Sequence, residues 1–288
     1  MTIRKILLPI SNTAAGESAL ATTLVAAKIW GAHVAGLHVH VDARDVAPLA
    51  GEGLSGAMIE EMMAATEKES SERATAIRSL FDRALAEHGI KLAEPRNAEP
   101  VATASFTVAT GREEELVAQQ ARLADLTVVA RPEVEGETAS ADALHAVLFD
   151  SGRPVLLAPS TAPSVIGRRV GLAWNGTAES ASAVTAALPW LREADAVCIF
   201  SSEGYQRRGP TAQEVVPYLA MHGVVAQIRM FSPVEGVVGA GLLAAAAAFE
   251  ADLLAMGAYS HSRLRQLILG GVTRHVLEHA RLPILMNR

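Results

Sequence analysis

The stretch ADLTVVA at residues 124–130 returns as ADLLAMG at residues 251–257, and RPVLLAP at residues 153–159 returns as LPILMNR at residues 282–288. Each is a short apolar run bounded by polar residues or proline, the pattern of a strand buried on both faces. Recurrence of both runs, in the same order and at nearly the same separation, marks an internal duplication.

Outward from these runs, strands alternate with helices. In the first half, residues 3–10, 33–41, 101–109, 126–130 and 154–158 read as strands, and 19–30, 55–88, 112–123 and 141–149 show helical spacing. Gly89 stands where the long second helix must stop. The second half repeats the order, with strands at 168–174, 196–201, 224–231, 253–257 and 283–286 and helices at 178–191, 211–222, 237–251 and 267–279. Such alternation implies parallel pairing, because parallel neighbours need a crossover and a helix is the usual one. The fold class is therefore α/β, with two tandem doubly wound, Rossmann-like domains over residues 1–160 and 168–288. Each is expected to be a five-stranded parallel sheet with about four helices. Residues 161–167, part of the connector STAPSVIG, read as a linker. Two separate sheets are expected, as opposed to one continuous mixed sheet.

Composition agrees. A chain of 288 residues, 50% hydrophobic and 19% charged, has enough apolar matter for two cores and too little charge for disorder. A formal net charge of −6 offers no general basic surface, which argues against nucleic acid and anionic lipid. The only cysteine, Cys198, lies in the strand-like AVCIF and reads as a buried small hydrophobe suited to a reducing cytoplasm. The apolar run near the N-terminus is ended by Pro9, too early for a signal peptide. The longest apolar stretch, 236–249, falls short of the roughly 20 residues that cross a bilayer. Neither secretion nor membrane spanning is expected.

Most catalytic motifs are absent: there is no GxxxxGK[ST], HExxH, CxxC or GxSxG. GAGLLA, from Gly239, fits a loose dinucleotide pattern but opens a helix after a loop with Pro233, and the acidic ribose ligand is missing; close helix packing is the better account. The pairs His38/His40 and His275/His279 share a strand face and a helix face, yet no third ligand stands at motif spacing, so hydrogen-bonded or solvated histidines are expected and no metal site.

Ligands of parallel sheets bind beyond the carboxyl ends of the strands. In the second half those ends are Ala173, Trp174 and Asn175 after the first strand and Gly257 after the fourth. A polar loop with Ser260, His261, Arg263 and Arg265 follows, and Gly270, Gly271, Val272 and Thr273 introduce the last helix, whose first amides suit phosphate oxygens.

This last stretch, MGAYSHSRLRQLILGGVTRHVLEHARLPILMNR, resembles the universal stress protein family, whose mark is Gly, two residues, Gly, nine residues, Gly and then Ser or Thr in a loop that holds ATP phosphates. The corresponding residues are Gly257, Ser260, Gly270 and Gly271, so two of the four positions depart. Thr273 offers a hydroxyl two residues beyond the one Gly271 lacks. Nucleotide-binding members carry an aspartate at the end of the first strand to meet the ribose, where this chain has Ser11 and Asn175. The resemblance implies an adenine-nucleotide-hydrolase-like fold and a cytoplasmic stress response. It also implies ATP or a related adenine nucleotide, with accompanying Mg, at the second-half residues just named, and hydrolysis that is slow at most. Two readings stand beside it: a member that binds no nucleotide and acts as a protein interaction module, and an adenine-nucleotide hydrolase, for which no base or nucleophile is identifiable. In the first half Ala130 replaces Gly257, and RPEVEGETASAD, with Glu133 among its carboxylates, replaces the glycine loop and would repel phosphate. No nucleotide is expected there; that half is expected to pack on its twin as an intramolecular pseudo-dimer, with pairing of two chains in a homodimer left open.

Overall fold

The computed structural model describes residues 2–11, 13–40, 56–95, 101–131, 138–203, 206, 209–258 and 271–288. The first half runs β1 (Lys5–Pro9), α1 (Thr13–Trp30), β2 (His33–His40), α2 (Gly56–His88), β3 (Lys91–Leu92), β4 (Thr103–Thr110), α3 (Glu113–Ala121), β5 (Leu126–Ala130), α4 (Thr138–Asp150) and β6 (Val155–Ala158). The second runs β7 (Arg169–Ala173), α5 (Ala178–Glu193), β8 (Ala196–Ser201), α6 (Ala212–Met221), β9 (Ala226–Met230), α7 (Val238–Ala248), β10 (Leu253–Gly257), α8 (Gly271–His279) and β11 (Ile284–Asn287).

The repeated ADL has a structural cause. Asp125 accepts hydrogen bonds from the amides of Arg4 and Lys5 at 2.8 and 3.0 Å, and its own amide donates to the Lys5 carbonyl. Asp252 does the same in the second half, accepting from Gly167, Arg168 and Arg169 at 2.9 to 3.0 Å and donating to the Arg169 carbonyl. One carboxylate thus pins the start of the first strand to the start of the fourth, satisfying edge amides that would otherwise have no partner. A second pin recurs at the other end: Ser18 Oγ donates to the Pro159 carbonyl at 2.5 Å and Ser182 Oγ to the Arg288 carbonyl at 3.2 Å, tying the first helix to the end of the fifth strand.

The five main strands of each half are parallel and follow one order, β4-β2-β1-β5-β6 and β9-β8-β7-β10-β11. The expectation of two separate sheets is corrected. The fifth strands pair with each other, antiparallel, through Ile284 with Leu157, Leu285 with Leu156 and Met286 with Val155, so among the described residues one mixed sheet of 11 strands runs through both halves. VLLA and the apolar part of ILMN are buried on both faces, and a strand of that kind left at an edge would expose backbone groups beside apolar side chains. Pairing the two edges removes both liabilities. The pseudo-dimer is thereby joined through backbone hydrogen bonds. The two-residue strand β3, exposed throughout, has no apolar pattern and was not legible; it extends the outer edge of the first half beside β4.

Apolar clusters on each sheet face contain residues from both halves: Leu20, Phe81, Val184 and Val215 on one side, Val117, Val147, Leu242 and Val276 on the other. Trp30 of α1 meets Trp190 of α5 edge to face with centroids 4.5 Å apart, and the Arg288 guanidinium lies 4.6 Å from the centre of the Phe149 ring. Gly89 closes α2 at φ +66°, as its position required. Gly239 serves packing: a Cβ there would meet His275 of α8 at 2.7 Å. No helix among the described residues is long and apolar enough to cross a membrane.

Candidate functional site

The strand order places a switch point between the first and fourth strands of each half, where crossovers leave in opposite directions and a crevice opens at the carboxyl ends. In the second half this is the gap between β7 and β10, in register at Ala173 and Met256. Ala173, Trp174, Asn175, Gly257, Val272 and Thr273, all named from the sequence, line one crevice there. Gly271 opens α8 outside that lining. Ser260, His261 and Gly270, with Arg263 and Arg265, lie outside the described residues.

Hydrogen bonds and packing within the protein engage several of these residues. Trp174 is fixed, its amide donating to the Phe200 carbonyl at 2.9 Å and its indole to the Pro210 carbonyl at 2.8 Å. Asn175 Oδ1 accepts from the amide and hydroxyl of Thr177 at 3.2 and 2.9 Å, and Thr177 Oγ1 in turn accepts from the Ser180 amide at 3.3 Å. Where a ribose ligand was expected, the asparagine oxygen shapes the N-cap of α5. Gly257 is filled from the same direction, since a Cβ would come within 2.6 to 2.8 Å of the Glu179 and Ser180 backbone. Its lack of a side chain admits the first turn of α5. Phe200, Phe231 and Met256 also line the crevice and leave a void of only about 40 Å³. Sequence reasoning missed these fillers because large apolar residues at strand ends look like ordinary core.

The switch point of the first half is polar. The Ser11 hydroxyl hydrogen-bonds the Glu113 carboxyl at the start of α3. Burial, with Asp142 and Glu114 nearby, pushes Glu113 up to about 7 against the effect of that bond. His38 Nδ1 lies 2.8 Å from the Ile10 carbonyl, so that nitrogen is the donor, in keeping with a hydrogen-bonded histidine; Nε2 is buried with no partner among the described residues. Arg131 follows β5 with Nη2 likewise buried and without a partner among the described residues. Residues 132–137, which hold Glu133 and the expected repulsive loop, lie outside the described residues.

With this geometry in place, comparison with known proteins is informative. Residues 230–288 match the model of the universal stress protein family. The C-terminal region is of universal stress protein type. The fold likeness extends further than that match. A universal stress protein from Archaeoglobus fulgidus DSM 4304 superposes with a TM-score of 0.66 at 14% identity, over 99% of this chain and 98% of that one. A functionally unknown protein from Pseudomonas aeruginosa PAO1 gives 0.58 at 15%, over 99% and 92%. At such identities the likeness is one of fold, and it runs through both halves. No curated protein matches the chain.

Two predictions follow from the site. Gly257→Ala drives a methyl into the α5 backbone and is expected to lower stability by about 1–3 kcal/mol. Gly271→Ala, with nothing within 4 Å and a backbone outside the left-handed region, is expected to change stability by anything from zero to a gain of about 1 kcal/mol. Urea unfolding of both variants checks the contrast. For Glu113 the folded pKa near 7 stands above the ordinary value of 4.5, so the fold favours the protonated carboxyl. That stabilisation is present in full below pH 4.5 and is lost as pH rises through about 7. Melting temperatures from pH 4 to 8 are therefore expected to show Glu113→Gln gaining on the wild type across that window and running parallel to it above.

Proposed function

We propose that this chain is a stress-response protein of universal stress protein type, acting in a reducing cytoplasm, that works by contact with other proteins and takes no adenine nucleotide into its C-terminal crevice. The observation that carries this reading is the void of about 40 Å³ between Phe200, Phe231 and Met256, against roughly 300–1,000 Å³ for pockets that hold small organic ligands. Two further features support it: the Asn175 oxygen is engaged with Thr177, and the space in front of Gly257 is taken by α5. For the contact surface, β9 is an outer strand with no neighbour beyond it among the described residues, whereas β3 covers the corresponding edge of the first half. Around it Met221, Val225 and Met230 are 80%, 92% and 53% exposed. An open strand edge with exposed apolar residues around it accepts an extended segment of a partner chain, main-chain hydrogen bonds giving affinity and alternate side chains giving selectivity.

A second reading, ATP with its Mg at the same switch point, draws support from one feature. Gly271 starts α8 with open space around it, and helix-start amides suit phosphate oxygens. A single preparation separates the two. Protein purified in nucleotide-free buffer is denatured and the supernatant examined for adenine absorbance, and native protein is titrated calorimetrically with Mg·ATP. No released adenine and no binding heat up to about 1 mM ATP are expected; binding at about 100 µM or tighter would establish the second reading instead.

A further inference from the structure

On the face carrying α1 and α5, a groove of about 810 Å³ runs where the two halves meet, lined by α1, by connector residues 162–168 and by α5. Its apolar wall comes from Val25, Ile29 and Trp30, from Val165, and from Trp190. Ile29 and Val165 are 40% and 49% exposed, although a buried core lies directly beneath them. The walls are held firmly. Trp30 and Trp190 pack edge to face, and Gly167, at φ +81°, brings the connector so close to Trp190 that a Cβ would stand 2.5 Å from the ring.

Two further observations concern polarity. Trp190 is 1% exposed, and its indole N–H is buried with no acceptor among the described residues, a state that costs on the order of 1–3 kcal/mol. The charged residues of the lining are Lys28, Arg168 and Glu193, in a chain whose formal net charge is −6. Arg168 is held by Asp195 at 2.7 Å, whereas Lys28 is exposed and has no carboxylate partner among the described residues. Burial and the Lys28 charge both hold His88 below its usual range, which leaves that imidazole neutral near pH 7 and Lys28 as the cation of the lining outside the Arg168–Asp195 pair, with the Glu193 carboxylate as its anion.

We propose that this groove binds an amphipathic organic anion, an aliphatic chain or aromatic ring system bearing one carboxylate or sulfonate, with its apolar part against Ile29, Trp30 and Val165 and its anionic group at Lys28. The volume falls within the range of small-molecule sites, and the lining has their usual make-up of apolar walls with a few polar groups. The site is remote from both switch points and independent of whether either takes a nucleotide.

The test uses the full chain with 8-anilinonaphthalene-1-sulfonate as fluorescent probe and decanoate as competitor. Saturable fluorescence at one probe per chain is expected, displaced by decanoate and not by decyltrimethylammonium. Lys28→Glu and Ile29→Glu, both at exposed positions, should each weaken the probe at least tenfold, about 1.4 kcal/mol, with circular dichroism and melting temperature unchanged. Val108→Glu, at an exposed apolar position away from the groove, should leave binding intact. Equal binding by wild type and both groove variants, or equal displacement by the cationic competitor, overturns the proposal. So does sedimentation showing a wild-type dimer that Ile29→Glu converts to monomer, because the groove would then be an interface between copies.

Discussion

The architecture depends on one antiparallel contact, the pairing of β6 with β11 through three residue pairs centred on Leu156 and Leu285. Each partner is the last strand of its half, apolar on both faces, and each would be an exposed, aggregation-prone edge if its twin were absent. Since the strands within each half are parallel and the joint is antiparallel, the carboxyl ends of the two halves open at opposite edges of the sheet. The switch-point crevices therefore face away from each other and cannot share a ligand. The same joint sets α1 beside α5, and the groove at Trp30 and Trp190 exists only because of it.

Within that frame the halves have diverged in their crevices while keeping their fastenings. Asp125 and Asp252 hold the same backbone amides, and Ser18 and Ser182 hold the same strand end. Such pins satisfy main-chain groups at defined places and tolerate little change in geometry. The crevices tolerate more. One holds polar groups, with Glu113 pushed up to about 7 and buried atoms on His38 and Arg131 that have no partner among the described residues; the other is packed with Phe200, Phe231 and Met256.

Legibility in the sequence followed the strength of the local signal. The bounds of β5, β8 and β10 agree with the apolar runs read at 126–130, 196–201 and 253–257, because buried parallel strands are uninterrupted apolar segments with polar ends. The joint between halves was not legible, since VLLA and ILMN carry no charge or alternation that names a partner or a direction. At the candidate site six of the residues named from the sequence meet at one crevice, yet spacing could not say what each does. Gly257 belongs to a phosphate-loop pattern, but the missing Cβ makes room for α5; Asn175 has a ribose-binding position, but its oxygen is engaged with Thr177. Spacing reports which residues meet, and hydrogen-bond occupancy decides which remain free to meet a ligand.

Amide hydrogen exchange at β6 and β11 tests the central claim most directly. Strands joined at the middle of a continuous sheet open only with the whole protein, so their amides should exchange as slowly as those of β1 and β7 and respond to urea with the same dependence. Exchange of β6 and β11 at the fast rate expected of the outer strand β9, with the two halves showing independent urea dependence, would mean that the halves fold as separate bodies and that the shared sheet is wrong.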